Sequence, residues 1–122
     1  MTMSPAKAGA NRRFVRMIDL ADDTAAIAAY EAAHSPGNTP AEVLALQRRH
    51  GIVELEIYRL GTRLVMLMEV DATFDPEGLD RETAADPVLI EWQRRMGALQ
   101  RPLPGHSGWA ELPCIFRQSD HP

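Results

Sequence analysis

The sequence predicts an α+β fold: a four-stranded antiparallel sheet with helices on one face. Three observations carry that expectation. Strand patterns fall at Arg12–Leu20, Ile52–Leu60, Arg63–Val70 and Trp109–Phe116. Helical patterns fill the stretches after the first strand and before the last. The resulting order, strand, helix, helix, strand, strand, helix, strand, is that of a ferredoxin-like plait.

Each element has a local reason. In Arg12–Leu20, Phe14, Ile18 and Leu20 share one parity, with Arg16 among them, while Val15 and Met17 share the other. Asp22 and Asp23 offer N-cap oxygens to an alanine-rich helix ending at His34. Ile27, Tyr30 and His34 lie on one face of it. Ser35, Pro36, Gly37 and Asn38 interrupt the chain. Thr39, Pro40 and Glu42 then read as a capping box with proline at the first helical position. Val43, Leu44 and Leu46 supply the buried side of this second helix, and His50-Gly51 ends it.

Ile52–Leu60 alternates, with Val53, Leu55 and Ile57 on one face and Glu54, Glu56 and Tyr58 on the other. Gly61-Thr62 is a two-residue hairpin turn into Arg63–Val70. That strand is apolar on both sides: Leu64, Met66 and Met68 on one, Val65 and Leu67 on the other. A monomeric plait covers one sheet face only, so a homodimer packing sheet on sheet, of the dimeric α/β barrel type, is expected. Asp71 to Asp86 is polar, with a short helix around Glu77 to Ala84. Asp86-Pro87 opens a longer helix whose stripe is Leu89, Trp92, Met96 and Leu99. Arg101 to Gly108 reads as a loop, and Pro113 makes the last strand an edge or a bulge.

The chain has 122 residues, 45% hydrophobic and 25% charged, the balance of one globular domain with a core of its own. The expected bounds are a tail over 1–11, one domain over 12–117 and a tail over 118–122. The lack of a ~20-residue apolar run argues against a membrane span, and Met1 to Asn11 lacks the apolar stretch of a secretory signal. The single cysteine, Cys114, cannot form an internal disulfide and suits the cytoplasm. Beside proline in the last strand it reads as a small buried hydrophobe. A net charge of −4, with Arg48-Arg49 and Arg94-Arg95 as isolated pairs, argues against a nucleic-acid partner. No glycine-rich phosphate loop follows a strand, and the four histidines, His34, His50, His106 and His121, are too scattered for a zinc set.

Tyr30 and His34, at i and i+4, are the sharpest polar pair. An imidazole with a pKa near neutrality both gives and takes a proton. A tyrosine beside it either orients the ring or binds a polar ligand, and packing in the core with His34 capping helix carbonyls is the competing explanation. Trp92 and Trp109 offer faces that stack on sugars or simply fill the core. Glu54, Glu56 and Tyr58 share a strand face that is solvated unless something covers it.

Taken together these residues resemble the L-rhamnose mutarotase family, most closely its branch associated with L-fucose mutarotation. The resemblance runs from about Arg13 to Arg117. It is carried by Tyr30-x-x-x-His34, Ala41-Glu42-Val43-Leu44, the run Gly51-Ile52 to Glu56-Ile57-Tyr58-Arg59-Leu60-Gly61, and Arg63-Leu64. Met66-x-Met68-Glu69, Asp86-Pro87, Glu91-Trp92, Met96, Gln100-x-Pro102-Leu103-Pro104-Gly105, Trp109 and Ile115-Phe116 continue it. The resemblance implies a dimeric α+β fold and cofactor-free interconversion of sugar anomers. It implies His34 as the proton donor, Tyr30 and Trp92 as substrate contacts, Gln93 where a second tryptophan is common, and Leu55 where a tyrosine contact can stand. Glu56 and Tyr58 join the candidate binding residues, and with Tyr30 or a water they are possible second proton carriers. One departure borders the site. The family places a short segment ending Trp-Pro after the histidine, whereas here Ser35-Pro36-Gly37-Asn38-Thr39-Pro40 is one residue longer and lacks the tryptophan. The expected activity is mutarotation of a 6-deoxy-hexose, L-rhamnose or L-fucose. A cofactor-independent monooxygenase or cyclase of the same plait, or a non-catalytic small-molecule binding module, are the alternatives.

Overall fold

The computed structural model describes residues 11–122, so most of the expected N-terminal tail lies outside the described residues. Strand β1 (Arg12–Leu20) is followed by helices α1 (Thr24–His34) and α2 (Ala41–Arg49). The hairpin β2 (Ile52–Leu60) and β3 (Arg63–Val70) comes next, then helices α3 (Pro76–Ala85) and α4 (Pro87–Leu99). Two short strands, β4 (Gln100–Arg101) and β5 (Ala110–Leu112), and a 3₁₀ turn at Gln118–Asp120 complete the chain. The antiparallel sheet has the order β2-β3-β1-β4, and β5 also pairs with β1. This is the ferredoxin-like plait, with its fourth strand in two pieces. The single strand expected over Trp109–Phe116 ends at Leu112, because Pro113 has no N–H to donate to a ladder. The missing length is supplied by Gln100–Arg101, which pairs with Leu20 and Asp19 at the start of the region read as loop. Cys114, beyond the strand end, is exposed rather than buried.

Helix starts follow the expected chemistry at Asp23 and Asp86, and Asp75 caps a helix in the same way where the sequence reading named no cap. Asp23, Asp75 and Asp86 accept from the backbone N–H groups of Ala25, Gly78 and Val88. The exception is α2. Its N-cap is Pro40, without a side-chain cap bond, so the Thr39 capping box does not form. Thr39 Oγ1 instead donates to the Ala33 carbonyl at 2.9 Å, closing the end of α1. Where one residue faces two helix ends, its hydroxyl here serves the orphan carbonyl rather than the orphan N–H.

The helix-facing side of the sheet carries Ile18 and Leu20 from β1 and Leu64, Met68 and Val70 from β3, all nearly inaccessible to solvent. Tyr30, Ala33 and Met96 pack on the first group, and Phe74 and Leu79 on the second. Val43 and Leu46 of α2 pack on Leu89 of α4, whereas Leu44 stays 38% exposed. One register detail departs from simple alternation. The pairing of β2 with β3 jumps between Ile52 and Glu54, so Val53 is the extra residue of a bulge and points outward. Ile52, rather than Val53, joins Leu55 and Ile57 on the inner face. The hairpin closes through Gly61 at φ +60°, with Leu60 paired to Arg63, as a II′-like turn requires.

The opposite sheet face carries Val15, Met17, Val65 and Leu67, each only partly buried. None of them joins a core cluster, so β3 is apolar on a face that no helix covers.

Candidate active site

The last turn of α1 places the site. Tyr30 and His34 follow each other on one helix face, and their rings lie 4.3 Å apart between centroids. His34 Nδ1 is 2.7 Å from the Tyr30 carbonyl oxygen. A carbonyl only accepts, so Nδ1 carries a proton, and in the neutral ring Nε2 keeps the lone pair. The Trp92 ring of α4 meets the imidazole edge-on at 5.3 Å. The segment after His34 is stitched back onto the helix end. Ser35 Oγ donates to the Glu31 carbonyl at 3.1 Å and Asn38 Nδ2 to the Ala32 carbonyl at 2.7 Å. Together with Thr39 these bonds satisfy carbonyls that a helix end leaves open. These bonds tie Ser35, Asn38 and Thr39 to the end of α1, and Thr39 and His34 line one cavity.

Between the helices and the sheet lies a cavity of about 610 Å³, within the range for small-molecule sites. Tyr30, His34, Leu55, Trp92 and Gln93 all line it. Glu56 and Tyr58 do not. They stand on the outer side of β2, exposed, where the Tyr58 hydroxyl donates to Glu56 at 2.8 Å. Strand parity puts those two on one face, and only the packing shows that this face is turned away from the cavity. The floor is apolar, formed by Leu55, Ile57, Met66 and Met68.

Arg16, Gln100 and Trp109 are also among the residues that line the cavity. Gln100 Nε2 donates to the Tyr30 hydroxyl oxygen at 3.3 Å, which leaves the Tyr30 O–H free to donate elsewhere. Burial raises the Tyr30 pKa above its ordinary value, against a smaller lowering by Gln100, so the group is a neutral phenol at neutral pH. The signal for Arg16 lay in the sequence: it is a charged residue set between the apolar Phe14 and Ile18 on the inward parity of β1.

A small-molecule cavity in a ferredoxin-like plait, with an imidazole of fixed tautomer and a neutral phenol on one wall, defines a site for proton transfer on a polar organic ligand. The family model for L-rhamnose mutarotase matches residues 13–118. An L-fucose mutarotase of Xanthomonas campestris pv. campestris is 41% identical over 112 residues, covering 89% of this chain and 90% of that protein. Among solved structures, the L-rhamnose mutarotase FA22100 of Formosa agariphila superposes with TM-score 0.64 at 18% identity, over 88% of this chain and 98% of that one. Tetracenomycin F2 cyclase of Streptomyces glaucescens, a type-II polyketide cyclase, follows with TM-score 0.56 at 17% identity, over 87% and 95%. These two structural likenesses concern the fold alone. The chain belongs to the L-rhamnose mutarotase family, and it is accordingly a carbohydrate isomerase, a sugar mutarotase.

Among the described residues, no helix is long and apolar enough to cross a membrane.

Proposed function

We propose that this protein interconverts the α and β anomers of a 6-deoxy-hexose, L-fucose or L-rhamnose, with His34 as the acid–base group. The observation that carries the reading is the imidazole: it lines the cavity, and its Nδ1 is committed to the Tyr30 carbonyl. Only Nε2 is then left to exchange a proton with a ligand. Carrying a proton on each ring nitrogen, His34 gives the one on Nε2 to the ring oxygen as the bond from that oxygen to C1 breaks, and the Nδ1–H tautomer is left. A water takes the proton of the anomeric hydroxyl, and the open-chain aldehyde results. Rotation about C1–C2 presents the other carbonyl face, the ring closes, and both transfers reverse. No net proton or electron is consumed. Tyr30 donates its free O–H to a sugar hydroxyl, and Trp92 offers an apolar surface to the sugar ring. Acid–base assistance of this kind supplies roughly 10²–10⁴-fold. Leu55 and Gln93 shape the remaining wall.

The same reading includes a homodimer through the uncovered sheet face, supported by the partly buried Val15, Met17, Val65 and Leu67. It places the enzyme in the cytoplasm, where a lone thiol stays reduced. Saturation-transfer NMR on equilibrated sugars tests the activity. Anomer exchange of L-fucose or L-rhamnose should speed up in proportion to added protein. Spontaneous exchange rates for both sugars at high protein concentration would refute the assignment.

A further inference from the structure

Arg16 has no structural task equal to its cost. It lies on the inner face of β1, level with Met66 of β3 on one side and Glu111 of β5 on the other. Ile57 and Met66 in the same row show that apolar side chains satisfy this part of the sheet. A guanidinium on a largely apolar wall loses hydration that it must recover elsewhere. Its one ion pair among the described residues, Nη2 to Glu111 Oε1, is long at 3.7 Å, and the Glu111 side chain is 60% exposed. Such a pair contributes little to stability. The guanidinium carbon is 5.8 Å from the Phe14 ring centroid, a contact that steadies the side chain without using its N–H groups. The five N–H donors of Arg16 therefore form no protein hydrogen bond among the described residues, while the residue lines the same cavity as His34 and Tyr30.

We propose that Arg16 is a substrate-contacting specificity residue, its planar fork donating to two adjacent ring hydroxyls of the sugar. Resting on the mutarotase reading, the proposal deepens it: the ligand class is a pyranose with a vicinal diol turned toward the sheet. A fork of parallel donors suits two neighbouring oxygens, whereas a lysine ammonium supplies a single point.

Arg16→Met, Arg16→Lys and Glu111→Gln test it, with two readouts on each folded variant. One is KM and kcat for anomer exchange of L-fucose. The other is a sugar titration followed by tryptophan fluorescence, since Trp92 and Trp109 line the cavity. Arg16→Met should raise KM and the dissociation constant about ten- to a hundredfold, with kcat changed only a few-fold. Arg16→Lys should fall between it and wild type, and Glu111→Gln should stay within about threefold of wild type. Equal losses in Arg16→Met and Glu111→Gln would mean a strand-pinning role and overturn the proposal. So would Arg16→Met, or Arg16→Lys if the former fails to fold, with wild-type KM and sugar affinity. If wild type binds sugar without accelerating exchange and Arg16→Met loses that binding, the Arg16 assignment stands and the mutarotase reading falls. If wild type binds no sugar, both fall.

Discussion

At the scale of single residues, the site is built from one helix face. Because Tyr30 and His34 are four residues apart, the carbonyl of the first fixes the tautomer of the second. Tyr30→Phe keeps the ring in the core and removes only the hydroxyl. It should lower kcat/KM about two- to tenfold, the value of one hydrogen bond, as read by NMR exchange. Tyr30 also links stability to pH. Burial raises its folded-state pKa above the unfolded value. The unfolded chain therefore releases this proton first as pH rises. Stability tied to Tyr30 is full below the ordinary tyrosine pKa and is lost above it. Denaturant melts in alkaline buffers should show that decline, and it should flatten in Tyr30→Phe. The i, i+4 pair, the Trp92 stripe and the inward parity of Arg16 were all legible in the sequence. Glu56 and Tyr58 were not separable from the inner set, since alternation gives two faces without saying which is covered. The bulge at Val53 compounds this by shifting parity within β2.

At the scale of elements, turn and cap chemistry decides how the cavity walls meet. Gly51 links α2 to β2 at φ +88°, and a Cβ there would lie 2.5 Å from the Phe74 backbone nitrogen. Gly51→Ala should cost about 1–3 kcal/mol from the positive φ alone, measured by thermal or denaturant unfolding. The end of α2 is clipped to α3. Glu82 accepts from Arg49 at 2.5 Å and pairs with His50, whose other ring nitrogen lies 3.9 Å from Asp75. The Arg49 hydrogen bond, then that of His50, lowers the Glu82 pKa. Stability from this clip is therefore full above the ordinary carboxylate range and lost as pH falls through it. Acid unfolding of Glu82→Gln should show a shallower dependence over that range than wild type. The sequence showed where helices start when an aspartate precedes proline or a helical run. It did not show which helix Thr39 serves, because a hydroxyl between two helix ends matches both patterns until the chain path is known. The fourth strand was half legible for a similar reason: Pro113 signalled a break, while Gln100–Arg101 pairs only because β1 has an open edge beside it.

At the scale of the whole molecule, the two apolar faces of β3 reconcile the fold with its expected assembly. One face closes on four helices, and the other keeps Val65 and Leu67 partly exposed beside Val15 and Met17. Leu67→Asp should leave the helix-side core intact and shift the protein to a monomer, read by sedimentation velocity with circular dichroism as the folding control. An unchanged sedimentation coefficient would place the contact elsewhere. The central claim, that the imidazole at the end of α1 moves the proton that opens the sugar ring, is tested most directly by anomer exchange in His34→Ala. The account requires exchange of the accepted sugar to fall roughly 10²–10⁴-fold, to near the spontaneous rate, with the circular dichroism spectrum unchanged. Wild-type exchange by a folded His34→Ala variant would contradict it.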